Sequence, residues 1–363
     1  METRTLGRTG IEVGPLALGT MMFGAWGNPD HDDCVRIIGR ALDAGINLVD
    51  TADVYSAGES EVIVGKALAA VDRSRVVLAT KFGSPMGTDP NARGGSRRWI
   101  VTACENSLRR LGTDYIDLYQ IHRPDERVDI DETLGALSDL VRAGKIRAFG
   151  SSTFPAEQIV AAQWVAETRG RERFTTEQPP YSILVRGIEG HVLPVAEAYG
   201  MGVVSWSPLA GGWLSGRFGA GKANSSERDR RLPARPGAGG RYDLSTPANR
   251  RKLEIVTELA ALADEAGLTL IELALAFVLE HPAVSSAIIG PRTPDQLEAQ
   301  LTAPQIRLDP AVLDRIDRIV APGTDINPED TAWRPPVLAD PARRRRGRSG
   351  QAAPRTAVVS HPG

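Results

Sequence analysis

Four side chains with complementary proton chemistry stand at or just past the ends of successive apolar runs: Asp50 and Tyr55 in NLVDTADVYSAGESE, Lys81 in VVLATKFG, and His122 in DYIDLYQIHRP. Reducing a carbonyl builds negative charge on its oxygen as hydride reaches the carbon, so a proton donor beside that oxygen lowers the barrier. Tyr55 suits the donor. A phenol alone is a weak acid near neutral pH, and an ammonium beside it favours the charged form and so eases proton release. Lys81 supplies that charge, Asp50 is expected to pair with Lys81, and His122 to orient the substrate oxygen. Taken singly, each residue has a plainer use: a cap for Asp50, packing for Tyr55, a solvated or core-satisfied side chain for Lys81 and His122. Together and in this order they point to a reductase.

What must gather these residues is a sheet whose strands end at one mouth. Short runs rich in Val and Ile alternate with longer segments of helical period from about residue 16 to about residue 320, the pattern of a parallel sheet with crossover helices. The strand candidates are LALGTM, NLVDTA, RVVLATKF, YIDLYQIH, IRAFGSS, FTTEQPPYS, GVVSWSPL and VSSAIIG. Eight strands fit a closed (β/α)8 TIM barrel better than an open doubly wound sheet. Several helical stretches end in glycine, at Gly45, Gly112, Gly144 and Gly170, which suits left-handed C-caps. Ahead of the first barrel strand, TRTLGRTGIEVG reads as a β-hairpin capping the barrel bottom. One barrel domain over residues 1–322 is expected, followed by a flexible Pro- and Arg-rich tail over 323–363. Residues 211–248 lack periodicity. An aperiodic loop beyond about 12–15 residues after the seventh strand is either a lid over a ligand or an insertion without a role.

The segments DTADVYSAGESEVIVGKAL, KFG, IDLYQIHRPD, GSSTF, EQPPYS, SPLAGGWLSG and IIGPRTPDQLEAQL resemble, in order, the motifs of the aldo-keto reductase family. The resemblance runs from Thr5 to about Val320. It implies a (β/α)8 oxidoreductase that uses NADPH in preference to NADH, with Asp50, Tyr55, Lys81 and His122 as the catalytic four. It further implies that Ser152, Thr153 and Gln178 hold the nicotinamide carboxamide, and that Trp206 stacks on the nicotinamide ring. Thr153 departs from the asparagine more often found at its position. By place in the barrel, Thr20, Met21, Met22 and Trp26 should edge the cofactor and substrate pocket, or else form a hydrophobic plug.

Glycine-rich dinucleotide fingerprints are missing after the first strand, so phosphate is expected at the loops after the seventh and eighth strands. Ser207, Leu209 and Gly211 lie in the first of these. The second, IIGPRTPDQL, contains Gly290, then Arg292 suited to a 2′-phosphate, then Thr293 as N-cap and Pro294 as first helical residue. Gln296 and Gln300, one turn apart, are placed for the adenine side.

Composition narrows the classes further. The chain has 43 basic and 45 acidic residues, and without the tail the body is more acidic still, which ill suits a nucleic-acid binder. The basic run Arg343–Arg346 with Arg348 reads as a solvated tail, or as a weak contact for nucleic acid or acidic lipid. No apolar run reaches the length of a membrane span, and METRTLGRTGIEVG lacks the apolar stretch of a secretion signal, so a cytoplasmic enzyme on a small-molecule carbonyl is expected. The two cysteines, Cys34 and Cys104, sit in helical patterns without partners, and no metal-ligand cluster is legible. Two other classes compete: a cofactor-sensing regulatory binding module with slow turnover, and a lyase or hydrolase using Lys81 as a Schiff-base amine.

Overall fold

The computed structural model describes residues 2–218 and 241–344. Eight parallel strands close into a barrel: β3 (Leu16–Gly19), β4 (Leu48–Asp50), β5 (Val77–Phe82), β6 (Ile116–Ile121), β7 (Ile146–Ser152), β8 (Thr176–Gln178), β9 (Gly202–Ser205) and β10 (Val284–Ile289), with β10 pairing both β9 and β3. Most strands carry apolar residues on both faces because both are covered, whereas β8 is Thr-Glu-Gln throughout. Ala17, Leu48, Ala79, Leu118, Ala148, Val204 and Ile288 fill the barrel interior. Their neighbours Leu16, Leu18, Val49, Leu78, Tyr119, Phe149 and Val203 pack under the helices.

The hairpin β1 (Arg4–Thr5) and β2 (Glu12–Val13) plugs the lower end as expected, sending Leu6 and Val13 into the interior cluster. Gly7, at φ 58°, lies so close to Gly202 that a Cβ on either would overlap the other's backbone. Glycine is required there for contact and not only for the turn.

Among the described residues the helices of five residues or more are α1 (His31–Asp43), α2 (Glu59–Leu68), α3 (Arg97–Leu111), α4 (Ile130–Arg142), α5 (Ala156–Arg169), α6 (Val192–Tyr199), α7 (Pro247–Glu265), α8 (Leu270–Glu280), α9 (Pro294–Glu298) and α10 (Pro310–Ile319). Side chains of Asp30, Ser96, Asp129, Thr246, Thr293 and Asp309 accept backbone N–H bonds at helix starts, and Thr269 with Glu272 forms a reciprocal capping box on α8. Gly45, Gly112, Gly144 and Gly170 all take positive φ at helix ends, as their positions suggest.

Two expectations meet a different outcome in detail. FTTEQPPYS yields only Thr176–Gln178 as strand, since Pro179 and Pro180 have no N–H to extend the ladder. The segment assigned to the tail begins with residues that grip the barrel: Arg186 N–H donates to Thr324 O at 3.0 Å, Ile326 N–H to Leu184 O at 3.1 Å, and Gly187 N–H to Asp325 Oδ1 at 2.8 Å. Asp330 then pairs with the buried ammonium of Lys252. Residues 345–363, with Arg345, Arg346 and Arg348, lie outside the described residues, as does 219–240 of the long loop. Both flanks of that loop are anchored, Trp213 stacking on Phe218 at 4.4 Å and Phe218 on Tyr242 at 5.6 Å. Among the described residues no helix is long and apolar enough to cross a membrane.

Candidate active site

Asp50 ends β4, Lys81 lies one residue before the end of β5, and His122 directly follows β6, so three neighbouring strands deliver three of the four residues to one mouth. Tyr55 opens a 3-10 turn, Tyr55–Gly58, in which Ser56 and Ala57 take positive φ. That turn brings the phenol back over the strand ends.

Lys81 is fully buried, and its ammonium has three acceptors: Asp50 Oδ2 at 2.6 Å, Thr51 O at 2.9 Å and Tyr55 Oη at 3.2 Å. An ammonium has three hydrogens, and all three are spoken for. Burial alone pulls the Lys81 ammonium toward neutrality, but Asp50 and then Tyr55 outweigh it and hold it above the ordinary lysine value. Since Tyr55 Oη accepts from Lys81, its own proton is directed elsewhere.

Asp50 is held on its other oxygen by Gln178 Nε2 at 2.8 Å, and the same amide nitrogen stands 3.4 Å from Gln120 Oε1. His122 meets Tyr55 edge to face, ring centroids 5.7 Å apart, and its Nδ1 is 3.3 Å from Ser84 Oγ. Trp26 flanks the phenol on another side at 6.1 Å. Phenol, ammonium, carboxylate and imidazole thus form one cluster with an aromatic wall.

The remaining expected residues lie at or after the ends of other strands. Ser152, Thr153 and Gln178 converge at the ends of β7 and β8, with Ser152 Oγ donating to Gln178 O at 2.9 Å. Thr153 holds φ at 60°, a left-handed conformation costing a β-branched residue about 1–3 kcal/mol. Trp206 follows β9, its Nε1 buried and without a hydrogen-bond partner among the described residues, under the guanidinium of Arg123 at 5.8 Å. Ser207, Leu209 and Gly211 form a tight turn in which Ser207 Oγ accepts from Gly211 N–H at 2.9 Å. Gly290 and Arg292 come after β10, where Thr293 caps α9 and Gln296 Oε1 accepts from Arg292 N–H at 2.9 Å. Met21 and Met22 are half-buried at the end of β3.

Thr20 and Gln300 are engaged within the protein as well. Thr20 is fully buried, its hydroxyl bonded to Ser60 Oγ at 2.8 Å and to Asp50 O at 3.2 Å, so it braces the strand that carries Asp50. The Gln300 amide donates back to Gln296 O.

Sequence reading missed Gln120, Ser84, Arg123, Arg217 and Arg241. Gln120 was findable, since it shares the inward face of β6 with Leu118. Arg241 and Arg217 lie so close to Gly211 and Gly212 that a Cβ on either glycine would strike a guanidinium. Two cations against a glycine turn with positive φ at Ser207, Ala210, Gly211 and Gly212 make a basic cradle beside the mouth. Among the described residues no group of His, Cys, Asp or Glu could hold a metal ion.

A family model described as the aldo/keto reductase family matches residues 15–321. The chain is 42% identical to "Uncharacterized oxidoreductase YrpG" of Bacillus subtilis, with 92% of this chain and 100% of that protein covered. It is 37% identical to "Aldo-keto reductase YhdN" of the same species, covering 82% and 87%. It is also 34% identical to "Putative voltage-gated potassium channel subunit beta" of Schizosaccharomyces pombe, covering 87% and 92%.

Proposed function

The chain belongs to the aldo/keto reductase family, and from that membership we propose that it reduces an aldehyde or ketone to an alcohol, reversibly, with NADPH as cofactor and Tyr55 as proton donor. The observation that carries this reading is the saturated ammonium of Lys81, which binds the Tyr55 oxygen and leaves the phenolic proton to point toward the mouth. As the proton moves from Tyr55 Oη to the carbonyl oxygen, Lys81 stabilises the phenolate left behind, and Asp50 keeps Lys81 charged and in place. His122 orients the carbonyl oxygen beside Tyr55. A raised lysine disfavours the neutral amine that a Schiff base requires, so Lys81 suits electrostatic work better than nucleophilic attack.

The residues fit a nicotinamide nucleotide. Gln120 Nε2 and Trp206 Nε1 are buried polar atoms near the mouth without partners among the described residues, and the Gly211–Gly212 turn meets two guanidiniums. Ser152, Thr153 and Gln178 would hold the carboxamide, with Trp206 against the ring and Met21 at its edge. Ser207, Leu209, Gly211 and Gly290, helped by Arg217 and Arg241, would hold the phosphates. Arg292 would take the 2′-phosphate, and Gln296 with Gln300 the adenine side; Thr20 contributes through Asp50. When bound, the reduced nicotinamide supplies the hydride.

The relative named as a potassium channel subunit favours a second reading, a regulatory binding module that senses cofactor. One assay separates the two. The purified chain, given NADPH and a panel of aldehydes and ketones, is expected to consume NADPH at ordinary enzyme rates, about 1 s⁻¹ or faster, with at least one of them. Tight NADPH binding with no turnover across the panel would favour the regulatory reading.

A further inference from the structure

The turn after β7 is held from behind by a carboxyl group that the chemistry above does not use. Glu177 is the middle residue of β8. Gln178 beside it bonds Asp50 inside the mouth, so Glu177, one residue away on the strand, points outward into the layer between strands and helices, where it is fully buried. There its Oε2 accepts from Ser151 Oγ at 2.5 Å and its Oε1 from Phe154 N–H at 3.1 Å. These two bonds bracket Ser152 and Thr153. Thr153 N–H and Ser152 Oγ meanwhile donate to Gln178 O at 3.1 and 2.9 Å, so β8 grips the turn from both sides.

Two features show that the grip matters locally. Thr153 is β-branched yet sits at φ 60°, a conformation that persists only where surroundings enforce it. Helix α5, moreover, begins behind Pro155, which supplies no side-chain cap, so the Glu177 carboxylate is the acceptor for backbone N–H just ahead of that helix.

We propose that Glu177 is a positioning residue whose carboxylate holds the Ser152–Thr153 turn in its left-handed form, and that loss of its charge loosens nicotinamide nucleotide binding. This rests on the reading of Ser152 and Thr153 as cofactor contacts. A carboxylate accepts on both oxygens with charge assistance, whereas the protonated group turns one oxygen into a donor and loses that assistance. Burial pushes Glu177 up to about 7, against the pull of Ser151, the backbone N–H groups of Phe154 and Thr153, and the positive charge of Arg123. The charge therefore changes hands near neutral pH.

Glu177→Gln reproduces the neutral form, with one acceptor and one donor. The test is the Kd for NADPH of the full chain and of E177Q from about pH 6 to about pH 8.5. Groups that titrate alike in both proteins, the 2′-phosphate included, cancel in the ratio. The ratio of Kd, variant over wild type, is expected to rise from about 1 at the acid end to about 3–10 at the alkaline end. A ratio that stays constant across the range overturns the proposal. Should E177Q fail to fold by circular dichroism, Thr153→Gly decides. Glycine takes φ 60° unaided, so the ratio of its Kd to that of the wild type is expected to rise about 3- to 10-fold from the acid to the alkaline end, as only the wild type tightens, and a constant ratio overturns the proposal. Wild-type protein that binds no NADPH at any pH defeats instead the cofactor reading beneath it.

Discussion

Asp50→Asn isolates the buried ion pair on which the site is built. In the wild type, Asp50 accepts from Lys81 at 2.6 Å and from Gln178 at 2.8 Å, one on each oxygen. Asparagine keeps the shape but offers one acceptor and one donor, so one of those two donors loses its acceptor, and Lys81 loses its counter-charge at a site with no exposure. Removing one member of a buried pair costs about 3–5 kcal/mol, or a Tm fall of roughly 6–20 °C, nearer the lower end for a chain of this length. The pH dependence gives the sharper signature. With Asp50 present, Lys81 is held above its unfolded value, so its contribution is complete below the unfolded pKa of about 10.4 and is lost as pH rises through the folded one. In D50N, burial dominates and depresses the folded value, so the penalty is largest where the unfolded lysine is protonated and shrinks as pH approaches about 10.4. Thermal melts of both proteins by circular dichroism from about pH 7 to about pH 10 read this directly. A gap below about 1 kcal/mol at neutral pH, or one that does not narrow with rising pH, refutes the argument that Asp50 is what keeps Lys81 charged.

Three further outcomes follow from other parts of the molecule. Arg292→Ala is expected to weaken NADPH about 10-fold or more while leaving NADH within about 2-fold, measured as two Kd values; equal losses would remove Arg292 from the 2′-phosphate site. Arg217→Ala together with Arg241→Ala should weaken both nucleotides alike, since a pyrophosphate is common to them, and a loss confined to NADPH would place these arginines elsewhere. Glu177 has its folded pKa raised to about 7. Because the folded state holds that proton more tightly than the unfolded chain, stability is greatest below about pH 4.5 and declines by about 3 kcal/mol as pH rises to about 7 from this group alone. Urea unfolding of wild type against E177Q across that window should show the decline flattened in the variant, and parallel curves would contradict the raised value.

The barrel was readable from sequence because its determinants are local: apolar runs at strand length, capping side chains, and glycine after several of the helices. The clustering of Asp50, Tyr55, Lys81 and His122 was readable for a topological reason, since successive parallel strands must end at one mouth wherever the chain goes between them. What escaped depends on contacts distant in sequence. The approach of Arg217 and Arg241 to Gly212 and Gly211 comes from an aperiodic stretch with no pattern to place its side chains. The docking of Thr324–Asp330 depends on Leu184, Arg186, Gly187 and Lys252, so a Pro- and Arg-rich composition suggested a flexible tail where a strap begins. Thr20 occupied the expected place at the end of β3, but its hydroxyl turns to Ser60 and the Asp50 carbonyl, a choice that only packing reveals. Cofactor contacts assigned to Gln300 face the same limit, since its amide is already bonded to Gln296 O.

The measurement that bears most directly on the whole account is a single-turnover reduction by Tyr55→Phe at saturating NADPH, with nucleotide binding checked separately. If the phenolic proton is the one transferred, the hydride step slows by about 10²- to 10⁴-fold while the Kd for NADPH stays within about 2-fold. A variant that retains more than about a tenth of the wild-type rate shows that the proton comes from another group.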